Sequence, residues 1–188
     1  MMAFEVLGHE VLISGFRGVR VEDPAGLLEE LRAKPELKEV CFQLLNADLV
    51  AGPEHLVISV FNALRAFELG LNVSSDLGLE VLTFASAQRQ ISNAIKLMGL
   101  KPGEMDVAIV LVASSREALK KALKALVAEL GGVLDDRVLD VDEQKAKLIA
   151  EAFELSGDEI SSCSRLGGLA EVVKALVLEK VALSITYR

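Results

Sequence analysis

The sequence contains no tryptophan, one tyrosine and seven phenylalanines, so its core must be built from aliphatic side chains. It has two cysteines, Cys41 and Cys163, 122 positions apart. That spacing excludes a disulfide-dense secreted scaffold and a cysteine-based zinc module. The pair reads as two unpaired buried thiols in preference to a disulfide. Asn and Gln are scarce, at four each, a depletion common in thermophilic proteins. The two histidines, His9 and His55, stand alone, with no His-x-x-x-His or Cys-x-x-Cys spacing that would suggest a metal. Each reads as an ordinary surface or helix-end residue. There is no Gly-x-Ser-x-Gly elbow, Walker loop or Gly-x-Gly-x-x-Gly turn. The longest uninterrupted apolar run, residues 107–113, is far short of the roughly 20 residues of a membrane span. The N-terminus has no basic segment and is broken by Glu5 and Glu10, unlike a signal peptide. A soluble, cytoplasmic protein with no membrane association is expected. No linker or fixed-period repeat appears, so residues 1–188 are expected to form one domain.

What is present is a substantial apolar fraction, 52%, and an acidic balance of 28 carboxylates against 20 basic side chains. The apolar content excludes global disorder. The net charge of −8 argues against a protein that coats nucleic acid by bulk charge. It leaves room for a local basic site.

Periodicity and punctuation give the elements. Val11, Leu12 and Ile13 before Gly15 read as a first strand. Asp23-Pro24 is an N-cap with proline at the first helical position; the helix carries Leu27, Leu28 and Leu31 and stops by Pro35. Residues 40–45 form a short apolar strand. Gly52-Pro53 opens a helix on which Leu56, Val60, Leu64, Phe67 and Leu71 recur at helical spacing, interrupted near its end by Gly70. A buried helix over 76–86 and a short helix over about 88–98 follow, the latter ended by Gly99 and Pro102. Residues 107–113 read as a central strand. Ser114-x-x-Glu117 resembles a capping box for a Lys-rich helix to Leu130, stopped by Gly131-Gly132. Residues 138–141 suggest a short strand, and Asp140-x-x-Glu143 a cap for a helix to about Leu155. Ser156-x-x-Glu159 caps a further short turn. Helical spacing returns over 169–178, and the alternation of Val181, Leu183, Ile185 and Tyr187 fits a terminal strand. Strands and helices mix without a βαβ rhythm. The expected class is α+β, with several helices packed on a small mixed or antiparallel sheet.

Features with chemical potential are few. Gly15-Phe16-Arg17-Gly18 matches the Gly-x-x-Gly loop of KH domains, but that loop joins two helices. A turn with an exposed Arg17 is the simpler reading. The acidic residues crowded over 135–159 read as a solvated face in which nothing defines a catalytic pair. Residues 81–103 contain no Asp or Glu but carry Arg89, Lys96 and Lys101. On a helix from Gln88, Ile91, Ile95 and Met98 form an apolar stripe, and Arg89, Asn93 and Lys96 share another face. Two cations and an amide on one face suit phosphate and sugar oxygens. The spacing equally suits a solvated stripe on a small helix. From Leu169 to Tyr187 the charges are Glu171, Lys174, Glu179 and Lys180, a pattern that fits core packing or a partner groove.

The run Ala85-Ser86-Ala87-Gln88-Arg89-Gln90-Ile91, with Ala94-Ile95 and Gly99, resembles the signature of the CGI-type subunit of the KEOPS complex. Gly15-Phe16-Arg17-Gly18, Asn46-Ala47-Asp48 with His55, and the stretch 177–183 (Val-Leu-Glu-Lys-Val-Ala-Leu) are similar to further blocks of that family, in order along nearly the whole chain. Ala87 replaces the family's usual glycine, and the segments 23–38 and 155–168 are longer than in compact archaeal relatives. The resemblance implies a non-catalytic subunit of a complex that makes threonylcarbamoyladenosine in tRNA. It implies binding to the small atypical kinase/ATPase subunit and capture of the single-stranded 3′ CCA end of tRNA, with no cofactor and no metal. On that basis Arg89, Gln90, Ile91, Asn93 and Lys96 are the tRNA-contact candidates, with Arg89 and Lys96 for phosphates, Gln90 and Asn93 for sugar or base edges, and Ile91 for packing on a base. Leu176, Lys180 and Leu183 are the kinase-contact candidates. A monomer outside the complex is expected. Two other classes stay open: an adaptor that binds the kinase but no RNA, and a small enzyme using His55 with acidic residues.

Overall fold

The computed structural model describes residues 1–187. Among them are five strands, β1 (Met2–Val6), β2 (His9–Val21), β3 (Cys41–Asn46), β4 (Gly103–Ala113) and β5 (Val133–Leu134). The α-helices are α1 (Pro24–Ala33), α2 (Pro53–Leu69), α3 (Leu77–Ala85), α4 (Ile91–Met98), α5 (Arg116–Leu130), α6 (Glu143–Ala152), α7 (Gly157–Ser162) and α8 (Leu169–Leu183). The class is α+β, as expected, and every strand pair is antiparallel. The chain divides into two compact units: Met1–Ala47 with Gly99–Val138, and Asp48–Met98 with the chain from Leu139 onward. No helix of the described residues is long and apolar enough to cross a membrane.

The first unit holds the whole sheet, in the order β1-β2-β4-β3, with β5 paired to β2. β4 is central, as its unbroken apolar run predicts. Val107, Ile109 and Leu111 join Leu12, Phe16, Leu44, Leu119 and Leu126 in one mostly aliphatic core beneath α5. Ala108, Val110 and Val112, on the opposite face of β4, are buried as well. A strand covered on both faces loses the apolar-polar alternation of a half-exposed one. Asp23 caps α1 by accepting the Ala25 N–H at 3.0 Å.

Several local expectations are corrected in this unit. The first strand is β1, joined to β2 through Leu7 and Gly8, both at positive φ (50° and 78°). This is a two-residue hairpin made without the Asn-Gly or Asp-Gly that would have announced it. The Gly15–Gly18 motif is no turn but lies inside β2, which runs on to Val21. Gly18, at φ 65°, sits where the β2–β4 register shifts, and its N–H donates to the Asp106 carboxylate at 2.9 Å. Gly15 leaves room for the segment after β5. A methyl group there would overlap the Val138 side chain and lie 2.7 Å from the Asp135 carbonyl oxygen. Arg17 reaches the Asp135 carboxylate (3.1 Å), which also takes two hydrogen bonds from the Arg137 guanidinium. The cap of α5 is Ser115, not Ser114: β4 extends to Ala113, and it is the Ser115 hydroxyl that accepts the N–H three residues on, that of Ala118. The short strand is Val133–Leu134, and 138–139 fall in a 3-10 turn, Asp136–Leu139.

The second unit is helical. Asn62 on α2 donates to the Val181 carbonyl on α8 at 2.7 Å, a buried tie between two long helices. The cap of α6 is Asp142, accepting the Lys145 N–H, not Asp140. Ser156 and Glu159 form the expected capping box of α7. The terminal strand is overturned. α8 continues to Leu183 and a 3-10 turn, Ser184–Tyr187, follows. Val173, Val177 and Val181 are fully buried along one helical face. No Gly or Pro breaks the helix before Leu183, so it propagates through the residues that also alternate. Cys41 and Cys163 are not joined in a disulfide, and both are half-buried where full burial was expected.

Candidate binding surfaces of the helical unit

The segment that carries Arg89 is built from its supports upward. Asp76 caps α3 by accepting the Leu79 N–H at 3.0 Å. Fully buried Glu80, one turn in, accepts the N–H groups of Val73 and Ser74 and so fixes the loop from α2. α3 ends at Ala85 in a Schellman arrangement. Gln88 N–H donates to the Thr83 carbonyl (3.0 Å) and Ala87 N–H to that of Phe84 (2.9 Å). The residue between must adopt the left-handed conformation, and Ala87 does so at φ 50°. A Cβ in that region is disfavoured, which is why glycine is the common occupant. Ala87→Gly is therefore expected to raise stability by roughly 0.5–1 kcal/mol in urea denaturation. An unchanged or lowered midpoint would count against strain at this turn.

The Ala85 carbonyl, at the open end of α3, receives its hydrogen bond from His55. The imidazole is completely buried in the first turn of α2. Its Nδ1 accepts the Ala51 N–H at 3.0 Å and its Nε2 lies 2.7 Å from the Ala85 oxygen. The first bond makes Nδ1 the acceptor, so Nε2 carries the proton and donates. The Phe153 ring stands edge-on to the imidazole at 5.8 Å. Burial lowers the His55 pKa to about 4; the bond to Ala85 opposes this, and the charge of Lys145 adds to it. Both ring nitrogens are occupied by backbone groups, so this geometry does not serve a general base exchanging protons with a substrate. His55 instead pins the end of α3.

α4 begins at Ile91, three residues later than the spacing predicts, because residues 86–90 form the turn. The expected shared helical face of Arg89, Asn93 and Lys96 is thus corrected: Arg89 and Gln90 precede the helix. All four side chains are nonetheless exposed at this end of the unit. The Arg89 guanidinium donates to the Tyr187 carbonyl of the last 3-10 turn. The apolar stripe is also revised. Ala94 and Met98 are buried, Ile91 is half-buried, and Ile95 is 46% exposed, one turn on from exposed Ser92. An exposed apolar side chain on a helix that also exposes Lys96 suits a nucleobase face, whereas the sequence pattern assigns Ile95 to the core.

Leu176, Lys180 and Leu183 come together, one turn apart on α8. With Leu155, Glu159 and Glu179 they line a recess of about 210 Å³ between α7 and α8. The Glu159 carboxyl is held below its usual value by the Ser156 N–H and hydroxyl, with the charge of Lys180 adding to the effect. The Lys180 ammonium donates to the Phe153 carbonyl at the end of α6 (2.7 Å). A larger apolar groove, which the sequence pattern does not reveal, lies between α2 and the C-terminal turn, where Phe61, Leu69, Leu71 and Ile185 meet. Phe61 and Leu69 are 44% and 54% exposed. Both lie off the stripe of Leu56, Val60 and Leu64 that the periodicity of α2 marks for burial, so that pattern does not point to them.

Comparison with known proteins gives two matches. The family described as "Kinase binding protein CGI-121" matches residues 16–184. A protein of Methanocaldococcus jannaschii, "Regulatory protein Cgi121", is 32% identical over 173 residues, spanning 92% of this chain and 96% of that protein.

Proposed function

The chain belongs to the CGI-121 family of kinase-binding proteins, and on that premise we propose that it is a non-catalytic subunit of the KEOPS complex. In this reading it binds the small atypical kinase/ATPase subunit and recruits tRNA through the 3′ CCA end for threonylcarbamoyladenosine modification. It works in the cytoplasm, without a cofactor, and is a monomer outside the complex.

The observation that carries the RNA part is the end of the helical unit around Arg89. There Arg89, Gln90, Asn93 and Lys96 are exposed in an acid-free stretch of a chain whose net charge is −8. A local cationic surface on an acidic protein draws a phosphate chain to one place and repels it elsewhere. Ile91 and Ile95 supply apolar area for a base, in a protein with little aromatic side chain to stack on. For the kinase, the recess of Leu176, Lys180 and Leu183 and the groove around Phe61 are the apolar surfaces on offer.

The test is a titration of purified protein with full-length tRNA and with the same tRNA lacking its CCA end, at one stated salt concentration. A strong preference for the intact end is expected. Equal binding would remove the CCA end from the site, and undetectable binding, even at low salt, would leave a kinase adaptor that does not touch RNA.

A further inference from the structure

One of the kinase-contact candidates, Lys180, also borders the α3–α4 turn that leads into the tRNA-contact candidates. Lys180 forms a wall of the recess with Leu176 and Leu183, and also of a second recess, about 140 Å³, on its other side. That second recess is lined by Ser86, Ala87 and Gln88 of the α3–α4 turn together with Phe153 and Glu154. From Lys180 a run of contacts leads to the turn. Its ammonium bonds to the Phe153 carbonyl at 2.7 Å; the Phe153 ring meets the His55 ring at 5.8 Å; His55 donates to the Ala85 carbonyl at 2.7 Å. Ala85 is the last residue of α3, and the turn begins at the next.

Resting on the kinase and RNA reading above, we propose that Lys180 couples the two surfaces: a kinase seated against α7 and α8 holds the α3–α4 turn in its RNA-binding form. In the free protein Lys180 is exposed, and its bond to Phe153 competes with water and with the carboxylates of Glu159, Glu179 and Glu154 around it. Covering the recess removes that water and immobilises the lysine stem, which strengthens the remaining hydrogen bond. Phe153, His55 and the Ala85 carbonyl are then fixed together. RNA arriving at a turn already ordered loses less conformational entropy. Linkage makes the effect reciprocal, so bound RNA tightens the kinase by the same factor.

The experiment measures tRNA affinity of the full chain alone and with the kinase at saturation, subtracting tRNA binding by the kinase alone. The same pair of titrations is run on Lys180→Met and on Phe153→Leu, which breaks the relay at the ring contact without altering the kinase recess. About fivefold tighter RNA binding with kinase is expected for the wild type, and no enhancement for either variant. Amide exchange at Ala87 and Gln88, followed without RNA, is expected to slow on kinase addition in the wild type only. No enhancement in a wild type that binds both ligands overturns the coupling, as does equal enhancement in both variants. If tRNA fails to bind while kinase still protects the turn, the RNA reading falls and the coupling stands.

Discussion

Lowering the pH from 7 to 4.5 is expected to reduce stability by roughly 2–3 kcal/mol through His55 alone. The folded protein holds this imidazole neutral, with a pKa of about 4, against an ordinary value of 6.5. Between those two values the unfolded chain binds a proton that the folded chain refuses, so stability falls as pH falls. The contribution is fully present above pH 6.5 and fully lost below about pH 4. Protonation would also place an N–H on Nδ1, facing the Ala51 N–H that it now accepts. Urea denaturation of the wild type and of His55→Gln across this range checks it. The wild type is expected to lose stability on acidification that the variant does not lose. Parallel pH profiles would show that His55 is not the titrating group. Asp135, whose carboxylate the Arg137 guanidinium holds at a pKa of about 2, titrates below this window. The lowered carboxyl of Glu159 is common to both proteins and cancels in the comparison. At pH 7, His55→Ala is expected to lose about 3–5 kcal/mol, since it leaves the Ala51 N–H and the Ala85 carbonyl unsatisfied and opens a cavity beside Phe153.

The double substitution Arg89→Glu with Lys96→Glu is expected to weaken tRNA binding by at least about a hundredfold at moderate salt. Each reversal removes a phosphate contact and adds a repulsive charge. The slope of log affinity against log salt should fall by about two, one for each lost contact. Both side chains are exposed, so circular dichroism and the unfolding midpoint should stay near wild type. Arg89→Glu does sever the bond to the Tyr187 carbonyl, a surface contact of small energetic weight. Lys120→Glu with Lys124→Glu, on the exposed face of α5 in the sheet unit, controls for net charge. An equal loss in that control would make the effect one of bulk charge. Wild-type affinity in the Arg89 and Lys96 double variant would remove these residues from the site.

The candidate site is legible in part from the sequence. The absence of acidic residues over 81–103 isolates the cationic segment by composition alone. Leu176, Lys180 and Leu183 come from the family resemblance alone; the expected terminal strand would have parted Leu183 from the other two, and they share one recess because α8 runs on to Leu183. The role of His55 is not legible. Its neighbours in space, Ala85 and Phe153, lie 30 and 98 positions away, and no local pattern marks a histidine whose partners are backbone groups of other helices. The spacing misplaces the start of α4 because an alanine takes the left-handed turn position that a glycine would have signalled.

The sequence by itself determined the class, the central β4 through its unbroken apolar run, and the Asp23 cap and the capping box at Ser156, which depend on residues within one turn of one another. It also located the acid-free segment. Only the tertiary structure decided the β1–β2 hairpin and the path of β2 past Gly15. It also set the fate of the C-terminal residues, whose apolar pattern fits both a strand and a helix. There the local preferences are nearly balanced, and the outcome rests on which apolar faces distant segments arrive to cover.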